Sequence, residues 1–134
     1  MRLADWEPHL SSSPALNQLF QLLTQAYYIS GRGLSTDGRT IAVISHFSSL
    51  LADAGFQNIQ EQKYTLDFSA NTPLYTGFYQ DALSGFQVLK PWFIHLSLIS
   101  ETDFQLLYQQ MLIEMSADDF SVSSDALIAW GEKP

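Results

Sequence analysis

The apolar positions of this chain recur with two different periods. Leu16, Leu19, Phe20, Leu23 and Tyr27 fall three or four residues apart, the spacing that gathers side chains on one face of a helix. Ser13 and Pro14 precede them: a hydroxyl suited to capping the first free amides, and a ring that presets the first helical turn. Gly31 and Gly33 follow, so a helix is expected over 14–29, then a turn-rich loop over 30–38. A second helix is expected from about Thr40 to Ala54, with Val43, Phe47, Leu50, Leu51 and Ala54 on one face. Gly55 stops it and Phe56 is placed to cover its end. From Asn58 to Phe68 the period drops to two. Tyr64, Leu66 and Phe68 share one side, and Glu61, Lys63, Thr65 and Asp67 the other, which predicts a strand with one wet face.

Farther on, Thr72-Pro73 opens a third helix carrying Leu74, Tyr75, Phe78, Tyr79, Ala82 and Leu83. Gly77 and Gly85 weaken it, and Lys90-Pro91 is expected to break whatever continues. Ser100, Glu101 and Asp103 mark an acidic helix start. Phe104, Leu107, Tyr108, Met111, Leu112 and Met115 then give one stripe, so a helix is expected over 101–116. The run from Ala126 to Gly131 reads as a buried strand, and Arg2–Glu7 as the tail of another. The fold class is therefore α/β, mixed and helix-dominated, with about four helices and a short mixed sheet.

Composition sharpens this picture. The 134 residues make one domain or half-domain, and 46% of them are hydrophobic. Aromatic residues reach 13%, while charged ones stop at 15%, against about 25% in an ordinary domain. That excludes disorder and implies much apolar surface to hide. The net charge is −8, and the cations Arg2, Arg32, Arg39, Lys63, Lys90 and Lys133 are scattered. Nucleic acid and anionic membrane surfaces both require clustered cations, so neither is an expected partner. The uncharged stretch from Pro8 to Gly31 holds four Ser, three Gln, an Asn and a Thr, too polar for a membrane span. No signal peptide is expected at the N-terminus. The absence of cysteine removes thiolate chemistry and disulfides and suits a reducing compartment. A cytoplasmic location is expected.

Candidate chemistry is sparse. His9, His46 and His95 sit in separate elements, with no second ligand at metal-binding spacing. Asp118-Asp119 reads as a solvated turn. The Gly31-Arg32-Gly33 sequence follows a helix, whereas a phosphate-cradling loop follows a strand, so it reads as a connector. No Gly-x-Ser-x-Gly elbow occurs. Tyr27-Tyr28 and Trp92-Phe93, at helix ends, read first as packing, with the lining of a pocket as the alternative.

Three segments together carry a family resemblance. They are Ser49-Leu50-Leu51-Ala52-Asp53-Ala54-Gly55-Phe56-Gln57-Asn58-Ile59, the strand that it feeds, and the terminal Ala129-Trp130-Gly131-Glu132-Lys133-Pro134. This resembles the C-terminal part of a Rossmann-like, class I S-adenosylmethionine-dependent methyltransferase. In that family a helix ending in Leu-Leu…Ala-Gly-Phe precedes the sixth strand. The last strand is antiparallel, inserts beside the fifth, and often ends in Gly-x-Lys-Pro. Residues Arg2–Trp6 would then be the remainder of the fifth strand. The resemblance divides the chain into helices plus strand over 1–69, a helical insertion over 70–120 and the C-terminal strand over 121–134.

The chain departs from the family in lacking its cofactor-binding half. No strand leads into a Gly-x-Gly-x-Gly turn, and no acidic residue stands where it would take the ribose. No cofactor, catalytic or metal residue carries over. S-adenosylmethionine is implied only for the full family fold, and the chain alone is expected to be inactive. What the resemblance implies here is the acceptor side, with Tyr27, Tyr28, Arg32 and Tyr79 as candidates facing the methyl acceptor. An apolar half-domain is also expected to self-associate, as a dimer, or to take up the missing N-terminal half. Two other readings remain open: a small α+β module binding an apolar small molecule, and a non-enzymatic helical interaction protein.

Overall fold

A computed structural model describes residues 1–8, 10–32 and 44–134. The elements run β1 (Arg2–Pro8), α1 (Pro14–Ile29), a single 3-10 turn (Ile44–His46) leading into α2 (Phe47–Asp53), β2 (Gln57–Asp67), α3 (Tyr75–His95), α4 (Glu101–Met115) and β3 (Ser123–Glu132). The mixed, helix-dominated class holds. The predicted loop beyond Arg32 and the predicted start of the second helix, Thr40 to Val43, lie outside the described residues, as does His9.

The three strands form one sheet in the order β1-β3-β2. β3 pairs antiparallel with both neighbours: Arg2 lies opposite Trp130 and Glu7 opposite Asp125, while Gln60 lies opposite Trp130 and Thr65 opposite Asp125. Every described pairing is thus antiparallel, where a short mixed sheet was expected. β1 and β2 nevertheless run parallel to each other, because both oppose the strand between them.

Helix ends follow local chemistry. The Ser13 hydroxyl accepts the Leu16 amide at 3.0 Å, as its position before Pro14 requires. At the end of α2, the Phe56 amide donates to Leu51 O at 3.1 Å and the Gly55 amide to Ala52 O at 3.0 Å. Gly55 has φ +89°, which a Cβ would oppose, so Ala-Gly-Phe is a Schellman stop. Phe56 then folds back on the cluster containing Leu51.

α3 corrects the expectation that Lys90-Pro91 breaks the chain. It runs unbroken for 21 residues with Pro91 inside it. The proline removes the amide that would bond Gln87 O, but Gln87 is exposed, so water can take that carbonyl. Two residues on, Phe93 is fully buried in the core. Helical packing there outweighs the lost hydrogen bond.

Two apolar cores result. The larger lies among α1, α3 and α4 and contains Leu16, Leu19, Phe86, Phe93, Phe104, Met111 and Met115. Two hydroxyls lace α3 to α4 across it: Tyr108 donates to Leu83 O and Tyr75 to Met115 O, each at 2.7 Å. The smaller lies where α2 covers one face of the sheet, through Phe47, Leu51, Leu127 and Ala129. The two are joined by short backbone ladders, Phe68 N–H to Val122 O and Ser12 N–H to Ser121 O, and by Trp6 against Phe68 and Phe78.

Candidate functional site

The candidate residues divide between the two ends of the helical body. α1 ends in a second Schellman stop. Arg32 N–H donates to Tyr27 O at 2.9 Å, and Gly31, at φ +68°, donates to Tyr28 O. That turn folds Arg32 back beside Tyr27, and both meet Trp92 of α3. The Arg32 guanidinium stands 5.5 Å over the Trp92 ring, and Tyr27 meets the same ring edge-on at 5.6 Å. Tyr28 lies on the other side of the turn and is 49% exposed.

Tyr79 does not join them. It stands 13 residues before Trp92 on the same helix, about 20 Å along its axis. Its neighbour is Tyr75, 5.9 Å away, which in turn meets Phe120. Burial, and the nearby Tyr79, hold the Tyr75 phenol above its ordinary pKa. Phe93, singled out with Trp92, is a core residue with no exposed surface. One end of the fold therefore presents Tyr27, Arg32 and Trp92 as a cationic and aromatic cluster. Such a surface suits a planar or anionic group.

A separate open groove of about 350 Å³ lies against the sheet, lined by Ser45, Lys63, Tyr64, Thr65, Asp125, Ala126 and Leu127. Periodicity gave no hint of it. Lys63 and Leu127 face each other only through the β2–β3 register, which a single sequence does not reveal.

No cluster of His, Asp and Glu able to hold a metal occurs among the described residues. His46 sits at the head of α2, and His95 at the end of α3. Among the described residues no helix is long and apolar enough to cross a membrane.

The segments that carried the family resemblance meet in space. A Cβ placed on Gly131 would lie 3.0 Å from Phe56 Cβ and 3.3 Å from Gln57 O and Ile59 Cγ1. Asn58 Nδ2 donates to Glu132 Oε2 at 2.9 Å beside this contact. No model of a known protein family matches the chain, and no curated protein matches it.

Proposed function

We propose that this chain is the C-terminal, acceptor-side region of an S-adenosylmethionine-dependent methyltransferase and is inactive on its own. The supporting observation is the strand order. The last strand lies antiparallel beside β1, with β2 on its other side, and the resembled family likewise inserts an antiparallel last strand beside its fifth, which Arg2–Trp6 would continue. The close fit of Gly131 on Phe56 adds a physical reason for both sequence features to occur in one chain.

In this reading the cofactor is held by a separate half, joined along the outer edge of β1. Its backbone amides would approach the cofactor carboxylate, and its acidic residue would take the ribose hydroxyls. Tyr27 and Arg32, with Trp92, are the residues we put forward as facing the acceptor, at the end of the helical body. The cytoplasm is the proposed location, consistent with an acidic, cysteine-free sequence.

Reconstitution tests the reading. The polypeptide encoded directly upstream is co-expressed with this chain, and the product is titrated with S-adenosylhomocysteine by calorimetry. Binding by the complex and none by this chain is the expected result. An upstream sequence without a Gly-x-Gly-x-Gly turn, or binding by this chain alone, refutes it.

A further inference from the structure

The outer edge of β1 carries a specific pattern of donors and acceptors. Met1 and Gly131 exchange both backbone hydrogen bonds, at 3.1 and 3.2 Å. Pairs of this kind alternate along an antiparallel ladder. Leu3, Asp5 and Glu7 therefore direct their backbone groups at β3, and Arg2, Ala4, Trp6 and Pro8 direct theirs outward. Among the described residues no strand pairs with that edge. Pro8 brings no N–H. The Trp6 N–H is covered by the Asp5 carboxylate of its own strand, at 2.8 Å. The edge is thus open at Arg2 and Ala4 and only lightly covered at Trp6. Exposed edges of this kind are templates for another strand.

We propose that the occupant is a second copy of this chain, with the two β1 strands antiparallel and Ala4 opposite Ala4 across a two-fold axis. The register follows from the edge itself. A slip of one residue sets outward groups against inward ones and leaves no ladder. A register centred on Asp5 sets two carboxylates face to face, which is destabilising. A register centred on Leu3 sets Arg2 opposite Ala4 and so parts the cation from the Trp6 ring. Centring on Ala4 pairs Arg2, Ala4 and Trp6 of one copy with Trp6, Ala4 and Arg2 of the other, and sets Asp5 opposite Leu3. Arg2 and the half-exposed Trp6 ring then lie directly opposite on one face, a cation against an aromatic ring. Arg2 already stands over Trp130 on that face at 6.0 Å, so the guanidinium sits between two indoles. The Asp5 carboxylate gives up the Trp6 amide as the strands join. The interface is isologous and closes at two copies. The methyltransferase reading is not needed for it, and a cofactor-binding half would compete for the same edge.

Sedimentation velocity on the full chain tests this, using the wild type, Ala4→Lys, Ala4→Glu and an equimolar mixture of the two variants. Ala4 is exposed and its backbone amide takes no part in the β1–β3 ladder, so both variants should keep the wild-type circular dichroism spectrum. The wild type is expected at twice the chain's mass at tens of micromolar. Each variant alone is expected as a monomer, because like charges meet at the axis. The mixture is expected to recover the dimer. A monomeric wild type, a dimeric Ala4→Lys protein or a monomeric mixture overturns the proposal. A measurement on the wild type alone covers the case in which the variants misfold. Amide exchange at Arg2 and Ala4 should slow several-fold as concentration rises, and rates independent of concentration overturn the pairing.

Discussion

Glu114 of α4 reaches across to the start of α1, and its removal gives a worked test of how the helical body is held. Its Oε1 accepts the Ser13 hydroxyl at 2.7 Å and the Ala15 amide at 3.0 Å, while its Oε2 accepts Gln110 Nε2 at 2.9 Å. Burial pushes this carboxyl up, but the hydrogen bonds from Gln110, Ala15 and Ser13 outweigh burial and hold it below its ordinary pKa. Replacing it with Gln keeps the shape and one acceptor but removes a negative charge from a helix N-terminus. That interaction contributes roughly 0.3–1 kcal/mol at accessible sites, and charged acceptors add roughly 1 kcal/mol over neutral ones. The site is half-exposed and solvent screens it, so Glu114→Gln is expected to cost about 1 kcal/mol at pH 7. Glu114→Ala is expected to cost about 2–3 kcal/mol, because the fully buried Ser13 hydroxyl then loses its acceptor.

The pH dependence has a definite sign. A carboxyl whose folded pKa is lowered stabilises above its unfolded pKa and loses that contribution as pH falls through the folded one. The gap between wild type and Glu114→Gln should therefore be full above the ordinary value of 4.5 and close progressively below it. Urea unfolding followed by tryptophan fluorescence at pH 7 and at pH 3 measures this. Equal stability at pH 7, or a gap undiminished at pH 3, would refute the reasoning.

Three further substitutions probe other parts of the fold. Gly131→Ala drives a Cβ into Phe56 Cβ and should cost about 1–3 kcal/mol in urea unfolding; Phe56→Leu should give no rescue, since the atom met is one both side chains share. Ser97 closes α3 at φ +59°, a left-handed position that a side chain opposes, so Ser97→Gly should raise stability by about 1 kcal/mol, and a fall in the urea midpoint would contradict that. Arg32→Ala removes the cation from the Trp92 face and should cost about 0.5–1 kcal/mol with a shift in Trp92 emission; an unchanged spectrum would show that the contact does not form in solution.

Local signals were legible wherever one short segment settles its own structure. Ser13-Pro14 and the Leu16–Tyr27 stripe located α1, Ala-Gly-Phe located the end of α2, and the alternation before Phe68 located β2. Pro91 misled because a local rule met a tertiary one: the burial of Phe93 keeps the helix going. Tyr79 was grouped with Tyr27 because the resemblance puts both of their helices on the acceptor side, yet a resemblance does not say which end of a helix meets which neighbour. The resemblance set the last strand beside β1, but nothing in the sequence placed β2 on its other side. Periodicity carries no information on which strand lies between the others.

The central place of β3 also dictates an order of assembly. β1 and β2 make no ladder with each other, and the strand that joins them is the last element of the sequence described. During synthesis the helical body can close once the segment just after α4 has emerged, since its core takes in Phe120 and Val122 besides α1, α3 and α4. The sheet must wait, holding β1 apart from a partner more than a hundred residues away. On the ribosome the protein is thus a finished bundle trailing two unpaired strands. Any chaperone that attends it is expected to hold the β1 and β2 segments until β3 emerges.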